Sequence, residues 1–352
     1  MEFEGLPCVI GLEITLACNL NCRHCASSAG RPRSNELTTN EMIAICDQFP
    51  DLLVREVDIT GGEPLVRKDW FKIAEHLGKL NIHVRMVTNG LLLKDNISRI
   101  INAGLSTVGI SFDGLENTHD FIRERKGLFK RIIDGVEAAI AANIPVAAIT
   151  AVNNRNVDEL QELQTVLFDL GIRDWQVQPI FSRGRAKETE LNLSESAFLE
   201  MGEFVKRRMK MCDASGFHLM PADGVGYYTD MDTRDHAWKG CSAGLSTCGI
   251  TADGKIKGCL SLPDHFIEGD LRQNDLWDIW FNKHSFAYNR QFSVNDLGEN
   301  CMNCIYGEQC KGGCSVMSYA ATDRFHNDPY CFYRILEKNK SCRRVVCAEC
   351  AV

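Results

Sequence analysis

The stretch ACNLNCRHCA, residues 17–26, sets Cys18, Cys22 and Cys25 in the spacing C-x3-C-x2-C. It follows VIGLEIT (9–15), an apolar, β-rich run that reads as a strand. Further runs of this kind recur along the chain: EVDIT (56–60), IHVRMVT (82–88), TVGISF (107–112), PVAAITAV (145–152) and WQVQPIF (175–181). Amphipathic helical patterns occupy 38–49, 69–79, 94–103, 128–142, 156–170 and 194–214. Alternating strands and helices predict an α/β fold of six β-α units with parallel strands, closed into a full or partial barrel or left as an open sheet. In each case ligands gather at the C-terminal ends of the strands, which is where the three thiols fall.

Composition narrows the function. The 352 residues, 45% hydrophobic and 24% charged, describe an ordinary globular protein of two or three domains. No apolar run approaches the roughly 18 residues of a membrane span, and the start MEFEG lacks the positive charge of a secretion signal, so a cytoplasmic protein is expected. A net charge of −8 opposes nucleic acid and anionic membrane surfaces, and neither is expected as a partner. Seventeen cysteines in a reducing compartment point to metal or cluster ligation instead of disulfides.

Four thiolates fill the four iron corners of a cubane cluster, whereas three leave one iron open to an exchangeable ligand. A structural zinc site would want a fourth ligand, for which His24 is at hand but cramped between Cys22 and Cys25. Spacing and placement favour the cluster.

These residues resemble the radical S-adenosylmethionine (SAM) superfamily, whose signature is a C-x3-C-x-aromatic-C loop; His24 stands where Tyr or Phe is more usual. The resemblance implies a partial (β/α)6 TIM-like barrel and a 4Fe-4S cluster on Cys18, Cys22 and Cys25 whose open iron binds SAM. It also implies SAM contacts at His24, at Gly61, Gly62, Glu63 and Pro64 of TGGEP, at Thr88 and Asn89 of TNG, and at Ser111 and Asp113 of SFDG. Arg123 is expected near the SAM carboxylate, and Thr150, Val152 and Asn153 near the adenine.

A second signature lies in the C-terminal third: Cys241, Gly254 and Cys259, then Cys301, Cys304, Cys310 and Cys314 as C-x2-C-x5-C-x3-C, and finally Cys331. It resembles the SPASM extension, a small cysteine-rich domain holding iron–sulfur clusters. The resemblance implies two auxiliary 4Fe-4S clusters, one on Cys241, Cys248, Cys259 and Cys314 and one on Cys301, Cys304, Cys310 and Cys331, making three clusters with SAM as cofactors. Two zinc sites are the alternative. Gly254 in ADGK reads as a hairpin turn. Cys46 and Cys212 read as buried core residues, Cys8 has no evident partner, and Cys342, Cys347 and Cys350 sit in a solvated tail.

The expected domains are a radical SAM barrel over 1–215, a bridge over 216–235, a SPASM domain over 236–335 and a tail over 336–352. The resemblance is greatest to ribosomal-peptide maturases and implies an oxidoreductase that modifies, for example cross-links, a peptide or protein residue. The short run before the first strand leaves no room for a leader-binding domain, so a leader would need a separate leader-binding protein or a groove on this chain. A flavodoxin or ferredoxin is the expected reductant. The alternatives are oxidation or decarboxylation of a small molecule such as a tetrapyrrole, and a non-enzymatic cluster or zinc protein that carries electrons. Substrate-facing candidates are Glu13 on the first strand, Gln176 and Gln178 on the sixth, Arg183 and Arg185 in SRGR, whose default is a surface loop, and Asp223, Tyr227 and Tyr228.

Overall fold

Alternation of apolar and polar residues sorts each strand into two faces, and the first strand shows the result. In β1 (Val9–Thr15), Ile10, Leu12 and Ile14 are fully buried against the surrounding helices, while Gly11, Glu13 and Thr15 face the barrel interior. The computed structural model describes residues 5–212, 216–222, 225 and 238–338. Next to β1 lie β2 (Glu56–Gly61), β3 (His83–Thr88), β4 (Thr107–Ser111), β5 (Val146–Val152) and β6 (Asp174–Pro179), parallel and in chain order.

A seventh parallel strand, β7 (His218–Pro221), pairs with β6. Its four residues end in proline and are too short for a periodic signal, so the sequence pattern does not announce it. At the opposite edge, β8 (Thr247–Ile250) joins β1 in parallel, and β9 (Lys255–Lys257) and β10 (Gly269–Asp270) extend the sheet antiparallel. The cysteine-rich segment therefore builds onto the barrel's own sheet, whose free ends are β7 and β10, and the barrel stays partial. Gly254 makes the β8–β9 turn at φ +84°, where a side chain would be strained.

The helices α1 (Thr39–Cys46), α2 (Trp70–Lys79) and α3 (Leu93–Ala103) follow the expected intervals. The first opens on a capping box in which Thr38 and Glu41 each accept the other's backbone N–H, a device worth about 1 kcal/mol. Helix α4 (Glu116–Arg123) was not expected, because its buried face is Thr118, His119 and Ile122, mostly polar residues without an apolar stripe. The remaining barrel helices are α5 (Leu128–Ala141), α6 (Leu160–Asp169) and α7 (Glu195–Cys212). No helix among the described residues is long and apolar enough to cross a membrane.

Cys46 is fully buried in the core, Cys8 is half-buried, and every described cysteine is a free thiol. Asp223, Tyr227, Tyr228, Cys342, Cys347, Cys350 and the side chain of Cys212 lie outside the described residues.

Candidate active site

The loop after β1 is held from three directions. The Glu36 carboxylate accepts hydrogen bonds from Thr15 Oγ1 at 2.9 Å, Leu16 N at 2.8 Å and Arg33 N at 3.0 Å. From β2, Gly62 N donates to Thr15 O and Glu63 N to Ala17 O, both at 2.8 Å. A Cβ on Gly62 would stand 2.3 Å from Ala17 O, so only glycine permits this approach. From beyond β6, Arg185 donates through Nε to Cys22 O at 2.8 Å and through Nη1 to Ala29 O at 2.9 Å. Arg185, assigned to a surface loop by default, is a clamp on the cysteine loop.

So held, Cys18, Cys22 and Cys25 line one cavity of about 270 Å³ at the C-terminal ends of the strands. Among the described residues, no three His, Cys, Asp or Glu side chains converge on a single metal ion. Thiols spaced around a cavity wall suit a multi-iron group better than zinc. Burial pushes the Cys18 thiol up and the Cys22 thiol to about 11, so a positive centre is needed to hold them as thiolates.

Opposite the thiols, Asp113 is fully buried at the end of β4. Its Oδ2 meets Arg123 Nε and Nη2 at 2.6 Å each and His24 Nε2 at 3.0 Å, and its Oδ1 accepts from Ala151 N at 3.0 Å. Although burial opposes it, Arg123 and His24 hold this carboxyl well below the usual carboxylate range. Arg123 Nη1 also lies 3.9 Å from Cys22 Sγ. The Asp113 N–H donates to His119 Nδ1 at 3.1 Å, and burial lowers that imidazole to about 3. His119 is therefore a neutral acceptor behind the wall.

The cavity brings together His24, Gly62, Asn89, Ser111, Asp113 and Arg123 with the three thiols. It does not include the other residues expected around SAM. Glu63 is fully buried, and its carboxylate accepts from Thr88 Oγ1 at 2.8 Å, Asn89 N at 2.7 Å and Leu65 N at 3.1 Å. Glu63 thus braces the TNG turn from behind through Thr88 and Asn89, Pro64 is buried next to it, and Gly61 borders a neighbouring cavity. On β5 the faces are reversed: Ile149 and Ala151 line the site, whereas Thr150 and Val152 are fully buried on the other side. Successive residues of a strand point to opposite faces, so Ala151 stands at the wall where Val152 is expected. Asn153, also fully buried, shapes the following turn by accepting from Arg155 N at 3.0 Å. Gln178 lines the cavity with Gln176 beside it, the two amides joined at 3.0 Å.

In the C-terminal third, Cys301, Cys304, Cys310 and Cys331 surround a cavity of about 200 Å³ beside Gly312, Gly313 and the fully buried Asp328. Cys241 and Cys259 share a second apolar group with Trp238, and Cys314 lies beside Cys241. Cys248 is not with them. It pairs in register with Ile10 on β1, and its side chain joins the outward-facing core beside Arg290. The neighbouring Gly249 shares the opposite face, where a Cβ would stand 2.7 Å from Leu260 N.

A larger cavity of about 470 Å³ adjoins the first, with Ala26 and Ser261 lining both. Glu13 faces it from β1, and Lys257 at the end of β9 closes it together with Leu260 and Asp264 of the loop that follows.

Comparison with known proteins fits this architecture. The model of the radical SAM superfamily matches residues 12–167, and that of the SPASM iron-sulfur cluster-binding domain matches residues 241–305. The chain is 31% identical to AdoMet-dependent heme synthase of Methanosarcina barkeri, over 95% of this chain and 99% of that one. It is 28% identical to mycofactocin maturase MftC of Mycobacterium tuberculosis, over 90% of this chain and 81% of that one. The fold is similar to that of Streptococcus suis SuiB, with a TM-score of 0.74, 18% identity, and coverage of 93% of this chain and 78% of that chain.

A thiol-lined cavity at the mouth of a parallel partial barrel, followed by a cysteine-rich domain, defines an iron–sulfur enzyme that uses SAM. The chain belongs to the radical SAM superfamily and carries a SPASM domain. It is thus an oxidoreductase, with iron–sulfur clusters and SAM as its cofactors. The donor set suits them: soft thiols line both kinds of site, and the glycines at 62, 312 and 313 leave no side chain in the way.

Proposed function

We propose that this enzyme directs a radical onto a carboxylate-bearing small molecule and oxidises or decarboxylates a tetrapyrrole side chain. The observation that carries the reading is the cavity of about 470 Å³ that adjoins the thiol-lined site, shares Ala26 and Ser261 with it and is bordered by the SPASM loop. The relative of matching length, named AdoMet-dependent heme synthase, supports a tetrapyrrole.

In this reading Cys18, Cys22 and Cys25 hold the cluster that receives SAM. Cluster and cofactor, when bound, would supply the radical chemistry that removes one hydrogen atom from the substrate, and an iron–sulfur acceptor would be needed for the electron left as carbon dioxide departs. Asp113, kept ionised by Arg123 and His24, fixes one wall of the SAM cavity. Asn89, Ser111, Ile149 and Ala151 complete it, and Arg185 keeps the thiol loop seated during turnover. Cys301, Cys304, Cys310 and Cys331 hold one auxiliary cluster and Cys241, Cys259 and Cys314 a second, giving three clusters. A flavodoxin or ferredoxin of a reducing cytoplasm supplies the electron.

Peptide modification is the second reading, favoured by the likeness to mycofactocin maturase MftC over 90% of this chain. Anaerobic turnover with SAM, a reductant and a β-deuterated, propionate-bearing iron porphyrin decides between the two. Deuterium in 5′-deoxyadenosine together with loss of carbon dioxide from the porphyrin is expected. An unaltered porphyrin, with a mass change in a candidate precursor peptide instead, would establish the second reading.

A further inference from the structure

We propose that Arg183 is the receptor for a substrate carboxylate, presented in the cavity between the cysteine loop and the SPASM loop. This inference rests on the small-molecule reading above and names the group by which that substrate is recognised.

Five charged residues line the larger cavity: Glu13, Arg33, Arg183, Lys257 and Asp264. Four of them satisfy one another. Arg33 donates to Glu13 through Nε at 2.5 Å and to Asp264 through Nη1 at 3.0 Å. Lys257 has three ammonium donors, and all are engaged, by Leu260 O at 3.0 Å, Leu262 O at 2.7 Å and Asp264 Oδ1 at 3.0 Å. Two carboxylates thus answer two cations. The Arg183 guanidinium has no ion pair or hydrogen bond among the described residues, and Asp264 and Cys259 act on it only through space, so its N–H donors are left unused.

Such a group is costly where it stands. Arg183 is half-buried, and burial pushes its guanidinium below the usual arginine range. A carboxylate arriving in the cavity would relieve that cost and could accept two parallel N–H bonds from the guanidinium fork. A monoanion suits the site better than a phosphate dianion, because the carboxylates of Glu13 and Asp264 stand around the one guanidinium that lacks a direct partner among the described residues.

The position is also held firmly. A Cβ on Gly184 would stand 2.4 Å from Ala26 O and 2.5 Å from Cys25 O, and Arg185 N donates to Cys25 O at 3.0 Å. The backbone carrying Arg183 is therefore pressed onto the cysteine loop. On its other side, Cys259 is near enough to act electrostatically on the guanidinium. A carboxylate bound here lies between the SAM cavity and the thiol of Cys259.

The test is an anaerobic absorbance titration of the iron-loaded holoenzyme with a propionate-bearing iron porphyrin and with its methyl ester. Wild type is expected to favour the acid by about ten- to a hundredfold. Arg183→Gln should abolish that preference at unchanged iron and sulfide content, Arg183→Lys should keep part of it, and Lys187→Gln, exposed on the same loop, should keep all of it. If Arg183→Gln does not load iron, Arg183→Lys at full iron content is compared with wild type, and an undiminished preference overturns the proposal. Retention of the preference by iron-loaded Arg183→Gln also overturns it. If wild type binds neither porphyrin, the titration is repeated with a short peptide and its C-terminal amide. A carboxylate preference lost in Arg183→Gln would then uphold the receptor while rejecting the tetrapyrrole, and binding of neither acid would reject the receptor itself.

Discussion

Arg123 meets Asp113 through two nitrogens, each 2.6 Å from the same carboxylate oxygen, and turns its third nitrogen toward Cys22 Sγ at 3.9 Å. One guanidinium thereby joins the β4 end to the cysteine loop. Arg123→Gln strands a fully buried carboxylate with the His24 ring and the Ala151 N–H as its remaining partners, which should cost about 3–5 kcal/mol. Asp113→Asn in the same chain should recover part of that loss. Thermal unfolding of both single variants and the double variant measures the coupling, and strict additivity would show that the pair contributes nothing jointly.

Arg185 acts on the same loop from the other side. Arg185→Ala removes the bonds to Cys22 O and Ala29 O and leaves both carbonyls without that donor, a loss of about 2–4 kcal/mol concentrated on the loop. Reduced iron at the three-thiol site is expected, with the SPASM iron retained. Iron analysis with electron paramagnetic resonance separates the two, and a full complement in Arg185→Ala would reduce the clamp to a bystander.

The outward turn of Cys248 makes a sharp contrast among the thiols. Cys248→Ala should keep the wild-type iron content, because this side chain belongs to the apolar core. Cys241→Ser, Cys259→Ser and Cys314→Ser should each lose iron, by up to about four atoms per chain. A matching loss in Cys248→Ala would show that this sulfur reaches the cluster after all.

His119 gives the fold an acid limit. Its imidazole is lowered from about 6.5 to about 3 in the folded chain, chiefly by burial, so between these values the unfolded chain binds the extra proton. Stability should therefore rise with pH across that window, and fall on acidification by up to about 1.4 kcal/mol per pH unit from this residue. His119→Asn retains a side-chain acceptor near Asp113 N but does not titrate, so the variant should lose that part of the slope. Melting temperatures between pH 4 and pH 7 compare the two, and parallel curves would remove His119 from the explanation.

Much of this architecture was legible because it rests on local periodicity. The six strands of the barrel announce themselves by β-branched runs, and their order follows from short crossovers. The helix α4 and the strand β7 did not, since one buries polar residues and the other is four residues long. Among the residues that line the cavity, Cys18, Cys22 and Cys25 are marked by their spacing in the chain, and Asn89, Ser111 and Asp113 by the resemblance of TNG and SFDG to the superfamily's segments. Arg183 and Arg185 carry no such mark, and SRGR reads like any polar turn until it is seen lying on the cysteine loop.

The sequence by itself determined the chemistry on offer: which thiols cluster, which turns follow which strands, and that the chain is a radical SAM enzyme with a SPASM domain. Only the tertiary structure decided which groups face the cavities. Burial turned Glu63 into a brace, strand parity set Ala151 in place of Val152 at the wall, and the register of β8 against β1 pointed Cys248 into the core. Spacing along a chain records which residues can be neighbours, but the direction of a side chain is set by register and packing between segments far apart in sequence.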